Sequence, residues 1–244
     1  IITGTIDSNL YVVTNSGEVL NGFPQKLDNL VYSSPVISKF QDGTNKIVIT
    51  TSGGTLYIFN RDGTLFNKKK LGDEFISSPV MYDINNDGTK DIIAITSDGI
   101  IHCLNSETLS TQWEFQTVTN ILSTPVIADV TGDEFPEIII PSMIGATIIL
   151  DGDGFVDELN TSSIPIFNSW VVSGPAVGDI DNNGKLDIVL ASYDQTIRAF
   201  EFPNSNSNSK VYWQSFGYNI GNTRWDESDY SPPPQPDQLG RIFN

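Results

Sequence analysis

The sequence predicts an all-β fold built from repeated four-stranded sheets, and three observations predict it. Four copies of one tetrad recur: SSPV at residues 33–36, SSPV at 77–80, STPV at 123–126 and SGPA at 173–176. Their prolines, Pro35, Pro79, Pro125 and Pro175, stand 44, 46 and 50 residues apart. Short apolar runs rich in β-branched residues and bounded by turn formers fill the intervals, with no helical period among them. A repeat in the mid-forties without helix is the length of one four-stranded blade, so the expected architecture is a β-propeller.

Each unit reads in the same order: a strand after the proline, a polar loop, a second apolar strand, a turn, a third strand, a turn and a final strand. The second strands align as KIVITTS, DIIAITS, EIIIPSM and DIVLASY, nearly continuous in apolar residues, as strands buried on both faces are. The third strands, TLYIFN, IIHCLN, TIILDG and TIRAFE, alternate more loosely and are expected nearer the rim. The opening segment, residues 2–23, matches strands two to four with no tetrad before it. The expected organisation is therefore a partial blade at 1–30, blades at 31–76, 77–122, 123–172 and 173–216, and a tail at 217–244. Four blades and a partial one suit an N-terminally incomplete piece of a six- to eight-bladed ring; a five-bladed ring closed by the C-terminal segment is the alternative. The last strand is expected to end near Phe216, ahead of a semi-rigid Pro-rich linker, SPPPQPDQ, at residues 231–238.

The loops between first and second strands carry the chemistry. DINNDGTKD at residues 83–91 and DIDNNGKLD at 179–187 place side-chain oxygens at positions 1, 3, 5 and 9. These are Asp83, Asn85, Asp87 and Asp91 in one loop, and Asp179, Asp181, Asn183 and Asp187 in the other. Thr89 and Lys185 at position 7 can offer backbone carbonyls, and a glycine at position 6 allows the sharp turn. A hard cation that takes six to eight oxygens is wrapped in this way, so both loops are expected to bind Ca²⁺. Position 12 is Ala94 or Leu190, not the bidentate glutamate of an EF-hand, and a strand follows instead of a helix. The third unit, DVTGDEFPE, keeps Asp129, Thr131, Asp133 and Glu137 at the ligand positions, although Glu134 replaces the turn glycine. The first unit, SKFQDGTNK, has Lys39 in place of the first aspartate, Lys46 near the last ligand position and one residue fewer, so it is expected to be metal-free. DGDGFVD at 151–157 imitates a calcium loop, but it aligns with the third-to-fourth-strand turns and is expected to be a hairpin turn.

Composition narrows the partners. A formal charge of −17 disfavours nucleic acid and anionic membrane surfaces, which select for Lys and Arg, and suits bound cations. No apolar run approaches the roughly 18 residues of a membrane span. The single cysteine, Cys103, permits no internal disulfide. The chain opens inside a strand, so a preceding natural N-terminus is expected.

The unit of tetrad, strand, DxDxDGxxD loop and apolar strand resembles the FG-GAP or VCBS repeat, the blade of integrin α-subunit propellers and of many bacterial surface proteins. The resemblance covers residues 31–200 and is carried by the loops at Asp83 and Asp179, less fully by Asp129. GGTLYIFNRDG and DGIIHCLNSETLSTQWEF are similar to blades of pyrroloquinoline-quinone-like propellers, which would make Trp113 a docking tryptophan between blades. The resemblance implies an extracellular, calcium-stabilised propeller that contacts protein or carbohydrate; the fold alone does not select among functions.

His102 and Cys103 are adjacent on one predicted strand and point to opposite faces, so no thiol–imidazole dyad forms. There is no GxSxG elbow either. The aromatic cluster Trp213, Phe216, Tyr218 and Trp225, with Asn219, Asn222 and Arg224, suits a sugar-stacking platform or a cap on the propeller edge. NSNSNS at 204–209 reads as a flexible loop, and Asn160-Thr161-Ser162 as a glycosylation sequon in a secreted eukaryotic protein. The expectation is a non-enzymatic, secreted or cell-surface binding or adhesion module with a protein or carbohydrate ligand. A lectin propeller and a propeller-fold polysaccharide-active enzyme are the alternatives.

Overall fold

A computed structural model describes residues 1–158, 161, 164–167 and 169–213. The features expected at Asn160, Ser162, Phe216, Tyr218, Asn219, Asn222, Arg224, Trp225 and residues 231–238 lie outside the described residues. The described chain forms five antiparallel sheets. The opening sheet holds β1 (Ile2–Gly4), β2 (Asn9–Val12) and β3 (Gln25–Lys26). The second holds β4 (Val36–Lys39), β5 (Asn45–Thr50), β6 (Thr55–Asn60) and β7 (Leu65–Lys70). The third holds β8 (Val80–Tyr82), β9 (Asp91–Ile95), β10 (Ile100–Asn105) and β11 (Thr111–Gln116). The fourth holds β12 (Val126–Ala128), β13 (Glu137–Pro141) and β14 (Thr147–Leu150), and the fifth β15 (Ala176–Gly178), β16 (Asp187–Ser192) and β17 (Thr196–Glu201).

The tetrads set the register. Their last residues, Val36, Val80, Val126 and Ala176, stand opposite Val48, Ile93, Ile139 and Val189 of the second strands. The first serine of each tetrad donates to a carbonyl at the far end of its own second strand: Ser33 to Thr50, Ser77 to Ile95, Ser123 to Pro141 and Ser173 to Ala191. The second residue links neighbouring sheets. Ser34 N donates to Ser78 Oγ at 2.8 Å, and Ser78 N donates to Thr124 Oγ1 at 3.1 Å. Ser78→Ala would strand the Ser34 amide, and an unmet buried donor costs about 1–3 kcal/mol. Urea unfolding of that variant is expected to show a loss in this range.

The core lies between sheets. β9 and β13 are buried along their whole length, as the apolar runs predict. The third strands of the second and third sheets differ from expectation: β6 and β10 are almost wholly buried, and the rim there is formed by the fourth strands β7 and β11, which are mostly exposed, whereas β17 alternates as expected. Residues 55–60 and 100–105 are packed by neighbouring sheets on both faces, which the looser alternation did not reveal.

A second correction concerns β18 (Val211–Trp213). The repeat assigns it to the fifth sheet as a final strand. It pairs instead with β12, on the inner side of the fourth sheet, and lies beside β8. Tyr212 packs its ring on Tyr82 with centroids 4.4 Å apart, and Trp213 is buried in the core of the third sheet. Trp213 is therefore a packing residue and no part of a sugar platform. The 204–209 loop is fixed as well, because Ser205 Oγ accepts from Leu186 N and Asn206 Nδ2 donates to Gly132 O. With β18 paired to β12, the fifth sheet has three strands among the described residues, and Ile197 on β17 is exposed.

Candidate metal centres

The first-to-second-strand loops of the third and fifth sheets share one wiring, and that of the fourth sheet keeps its bonds at positions 5 and 9 and the position-6 amide at position 1. At position 1, Asp83 accepts from Asp87 N at 3.0 Å and Gly88 N at 2.9 Å, and Asp179 accepts from Asn183 N at 3.1 Å and Gly184 N at 2.9 Å. Asp129 accepts from Gly132 N at 2.6 Å and Glu134 N at 3.2 Å. Position 3 adds bonds from Asp87 N to Asn85 and from Asn183 N to Asp181, both through Oδ1. Position 5 accepts from position 7: Thr89 N to Asp87, Phe135 N to Asp133 and Lys185 N to Asn183. Position 9 reaches back to the amide of position 2: Ile84 N to Asp91 at 3.2 Å, Val130 N to Glu137 at 2.7 Å and Ile180 N to Asp187 at 3.0 Å.

The backbone explains why Glu134 is tolerated at the turn. Positions 4 and 6 are both left-handed in each loop, as Asn86 and Gly88, Gly132 and Glu134, and Asn182 and Gly184. The third unit moves its glycine to position 4 and leaves a non-glycine at position 6, with φ of 73°. Asn and Gly enter that region readily, whereas Glu does so at a cost that the surrounding bonds must cover.

Carboxylate oxygens of Asp179, Asp181 and Asp187 lie within 4.8 Å of one another, which fits a shared divalent cation. Asp91, Glu137 and Asp187, all at position 9, begin the second strands and are buried. Burial first, then the nearby Asp87 and Asp83 charges, push the Asp91 carboxyl up to about 7 despite the opposing bond from Ile84 N. Burial, with Asp133 and Asp129 adding to it, pushes Glu137 up to about 8, against the bond from Val130 N. A cation beside Asp91 and Glu137 would favour their ionised forms, and the donor set of carboxylate, amide and carbonyl oxygens suits Ca²⁺. The Lys185 side chain turns outward to Glu201 Oε1 at 2.9 Å and supplies no ligand. The Thr89 hydroxyl accepts from Gln41 Nε2 of the neighbouring loop.

Two residues outside the nine-residue pattern belong to these centres. Gln112 on β11 donates to Asp91 Oδ1 and accepts from Asn85 Nδ2 at 2.9 Å, bridging positions 3 and 9. Glu201 accepts from Asn183 Nδ2 at 2.7 Å. The signal for Gln112 is its place at the bulge of the fourth strand, beside the loop.

The second sheet shows what replaces the metal. Ser38 pairs with Lys46 as Tyr82 pairs with Asp91, Ala128 with Glu137 and Gly178 with Asp187. Lys46 therefore stands at position 9. Its side chain is 1% exposed, and its ammonium donates to Asp42 Oδ2 at 2.5 Å and Thr44 Oγ1 at 2.7 Å. The rings of Phe66 and Phe40 lie 4.5 and 5.2 Å from it. Phe66 sits at the bulge place that Gln112 holds in the third sheet.

Residues 151–157 form a hairpin turn: Asp151 N donates to Phe155 O, Gly154 N to Asp151 O, and Leu150 bridges Val156. The turn lies under the Asp83 loop. Trp113 of the third sheet donates from Nε1 to Gly152 O at 2.9 Å and packs so closely on Gly154 that a Cβ there would come within 2.7 Å of the indole. Trp113 thus joins adjacent sheets. His102 donates to or accepts from Glu114 through Nδ1 at 2.9 Å, and Cys103 is buried with its thiol pushed up by that burial.

A family model described as the λ-carrageenase β-propeller domain matches residues 46–128. No curated protein matches the sequence. Among solved structures, BamB from Moraxella catarrhalis is similar at 14% identity and TM-score 0.58, over 86% of this chain and 60% of that one. BBS1N, solved in complex with ARL6DN, is similar at 13% identity and TM-score 0.60, over 85% and 58%. The WD40 β-propeller domain of Doa1 is similar at 15% identity and TM-score 0.56, over 82% and 59%. The fold is a β-propeller. The chain spans about three fifths of the length of these solved structures.

Proposed function

We propose that this propeller is a calcium-stabilised, non-enzymatic binding or adhesion module of an extracellular or cell-surface protein. The observation that carries the reading is a common loop plan, with oxygen-bearing residues at the same four positions and position 9 accepting from the amide of position 2, repeated at the same end of three successive sheets. Bound calcium would supply positive charge beside the buried carboxyls of Asp91 and Glu137, which burial holds above the ordinary carboxylate range. The resemblance to FG-GAP and VCBS repeats supports an extracellular setting. BBS1N, a structural neighbour, is solved with a protein partner, which supports protein contact as a use of this fold.

A specific observation also favours carbohydrate. Trp170 and Tyr193 form an exposed aromatic pair with ring centroids 6.0 Å apart. Tyr193 N donates to Trp170 O, a junction that the other units build from Ser52 and Leu30, Ser97 and Glu74, and Met143 and Asn120. Only this described junction carries two aromatics, and exposed aromatic faces stack on pyranose rings. The match to a propeller domain of a carrageenase points the same way. A glycan array of neutral and sulfated oligosaccharides, probed with the chain in millimolar calcium and in chelator, tests both readings. Calcium-dependent binding that falls at least tenfold in Trp170→Ala establishes the sugar ligand. Absence of glycan binding in either condition leaves protein contact. Hydrolysis or elimination of any glycan would overturn the non-enzymatic reading.

A further inference from the structure

Residues 204–213 follow the fifth sheet and run across two of the candidate metal loops before ending in β18. Ser205 holds the Asp179 loop: its Oγ accepts from Leu186 N, at position 8, and donates to Phe202 O, both at 2.8 Å. Ser207 lies beside Gly184, at position 6 of the same loop. Asn206 then crosses to the Asp129 loop and donates from Nδ2 to Gly132 O at 3.1 Å. Asn206 N on Ser209 Oγ and Asn208 N on Asn206 Oδ1 close the turn between them. Two more bonds tie the segment to the Asp129 loop, from Asp129 N to Lys210 O at 2.9 Å and from the Tyr212 hydroxyl to Glu134 O at 3.2 Å.

The carbonyls that the segment engages belong to the two left-handed residues of the loop. Gly132 and Glu134 have φ of 79° and 73°, and their amides both donate to the Asp129 carboxylate. Their carbonyls accept from Asn206 and Tyr212. No Cβ fits at Gly132, where it would collide with the Asn206 side chain and the Asn204 carbonyl, so loop and segment are fitted to each other. The Asp83 loop is bordered instead by Gly152 of the 151–157 turn, which lies against Ile84 O. A cation held by the carboxylates of the Asp129 loop and the segment that holds its carbonyls therefore favour one loop conformation. Two ligands of one conformation strengthen each other's binding by the same factor.

We propose that residues 204–213 are a calcium-responsive clamp: Ca²⁺ in the Asp129 loop favours the clamped segment, and the clamped segment, which also grips the Asp179 loop, favours the ion. The clamp rests on the calcium reading of these loops and extends it from local pinning of a turn to control of a strand. β18 ends the clamp, pairs with β12 and buries Trp213, so the position of that strand is set by the ion as well as by its own packing.

Hydrogen exchange of the whole chain in millimolar calcium and in chelator tests the clamp, with calorimetric titration of the ion alongside. Calcium is expected to slow exchange across residues 204–213 about tenfold more than across β5 and β6, whose sheet carries Lys46 at position 9. Asp133→Asn should erase that excess. Tyr212→Phe keeps the ring on Tyr82 and removes the bond to Glu134 O, and it should weaken calcium binding at one site about fivefold. Calcium binding that slows the clamp no more than β5 and β6, or that is indifferent to Tyr212→Phe, would overturn the clamp and leave the calcium sites standing. A titration with no heat of binding would overturn both.

Discussion

Lys46→Ala is expected to destabilise the protein by about 2–5 kcal/mol, equally in calcium and in chelator. The side chain is 1% exposed, so truncation leaves a cavity between β5 and the rim. The cation also loses two aromatic faces, a contact worth about 2 kcal/mol when desolvated. The Asp42 carboxylate is half-exposed, so the ion pair itself adds little. Lys46→Met keeps the stem and removes only the charge, and a smaller loss of about 1–2 kcal/mol is expected for it. Urea unfolding of both variants in both buffers checks the order. A loss that appears only in chelator would mean that the second sheet holds a metal after all.

The metal-free protein is expected to lose stability as the pH rises from about 5 to about 9. Asp91 and Glu137 have folded pKa values of about 7 and about 8, above the ordinary 3.8 and 4.5. A carboxyl whose pKa is raised by folding stabilises fully below its unfolded value, and that contribution is lost as pH climbs through the folded one. Each group accounts for a few kcal/mol across that window. Bound calcium holds both groups ionised, so the decline should vanish and the stability gained from calcium should grow with pH. Denaturant midpoints of the wild type and of Asp91→Asn with Glu137→Gln, measured from pH 5 to 9 in chelator, test the sign. A flat profile for the wild type in chelator would count against buried, uncompensated carboxylates in these loops.

Much of this fold can be read from the chain because the repeat is local. The tetrads, the second strands and the three acidic loops each lie within a dozen residues and declare themselves by pattern. What could not be read joins residues far apart. The Ser34–Ser78 and Ser78–Thr124 bonds link residues 44 and 46 positions apart, so the tetrad is visible as a repeat but not as a ladder. Gln112 reaches Asp91 from the fourth strand, 21 residues on, and no spacing rule marks it. The role of Lys46 is disguised by a one-residue deletion that the strand register resolves. Val211–Trp213 carries no mark of its partner, and it joins β12 in place of the sheet that the order of the units suggests.

The most direct test of the calcium assignment is a thermal melt of the wild-type chain in millimolar calcium and in chelator, paired with calorimetric titration of the ion. Two to three calcium ions per chain are expected. At roughly tenfold excess over the dissociation constant, each occupied site adds about 1.4 kcal/mol. That corresponds to a rise of about 3–5 °C per site for a chain of this size. Identical melts, with no heat of binding, would contradict the assignment of the loops at Asp83, Asp129 and Asp179 as calcium sites.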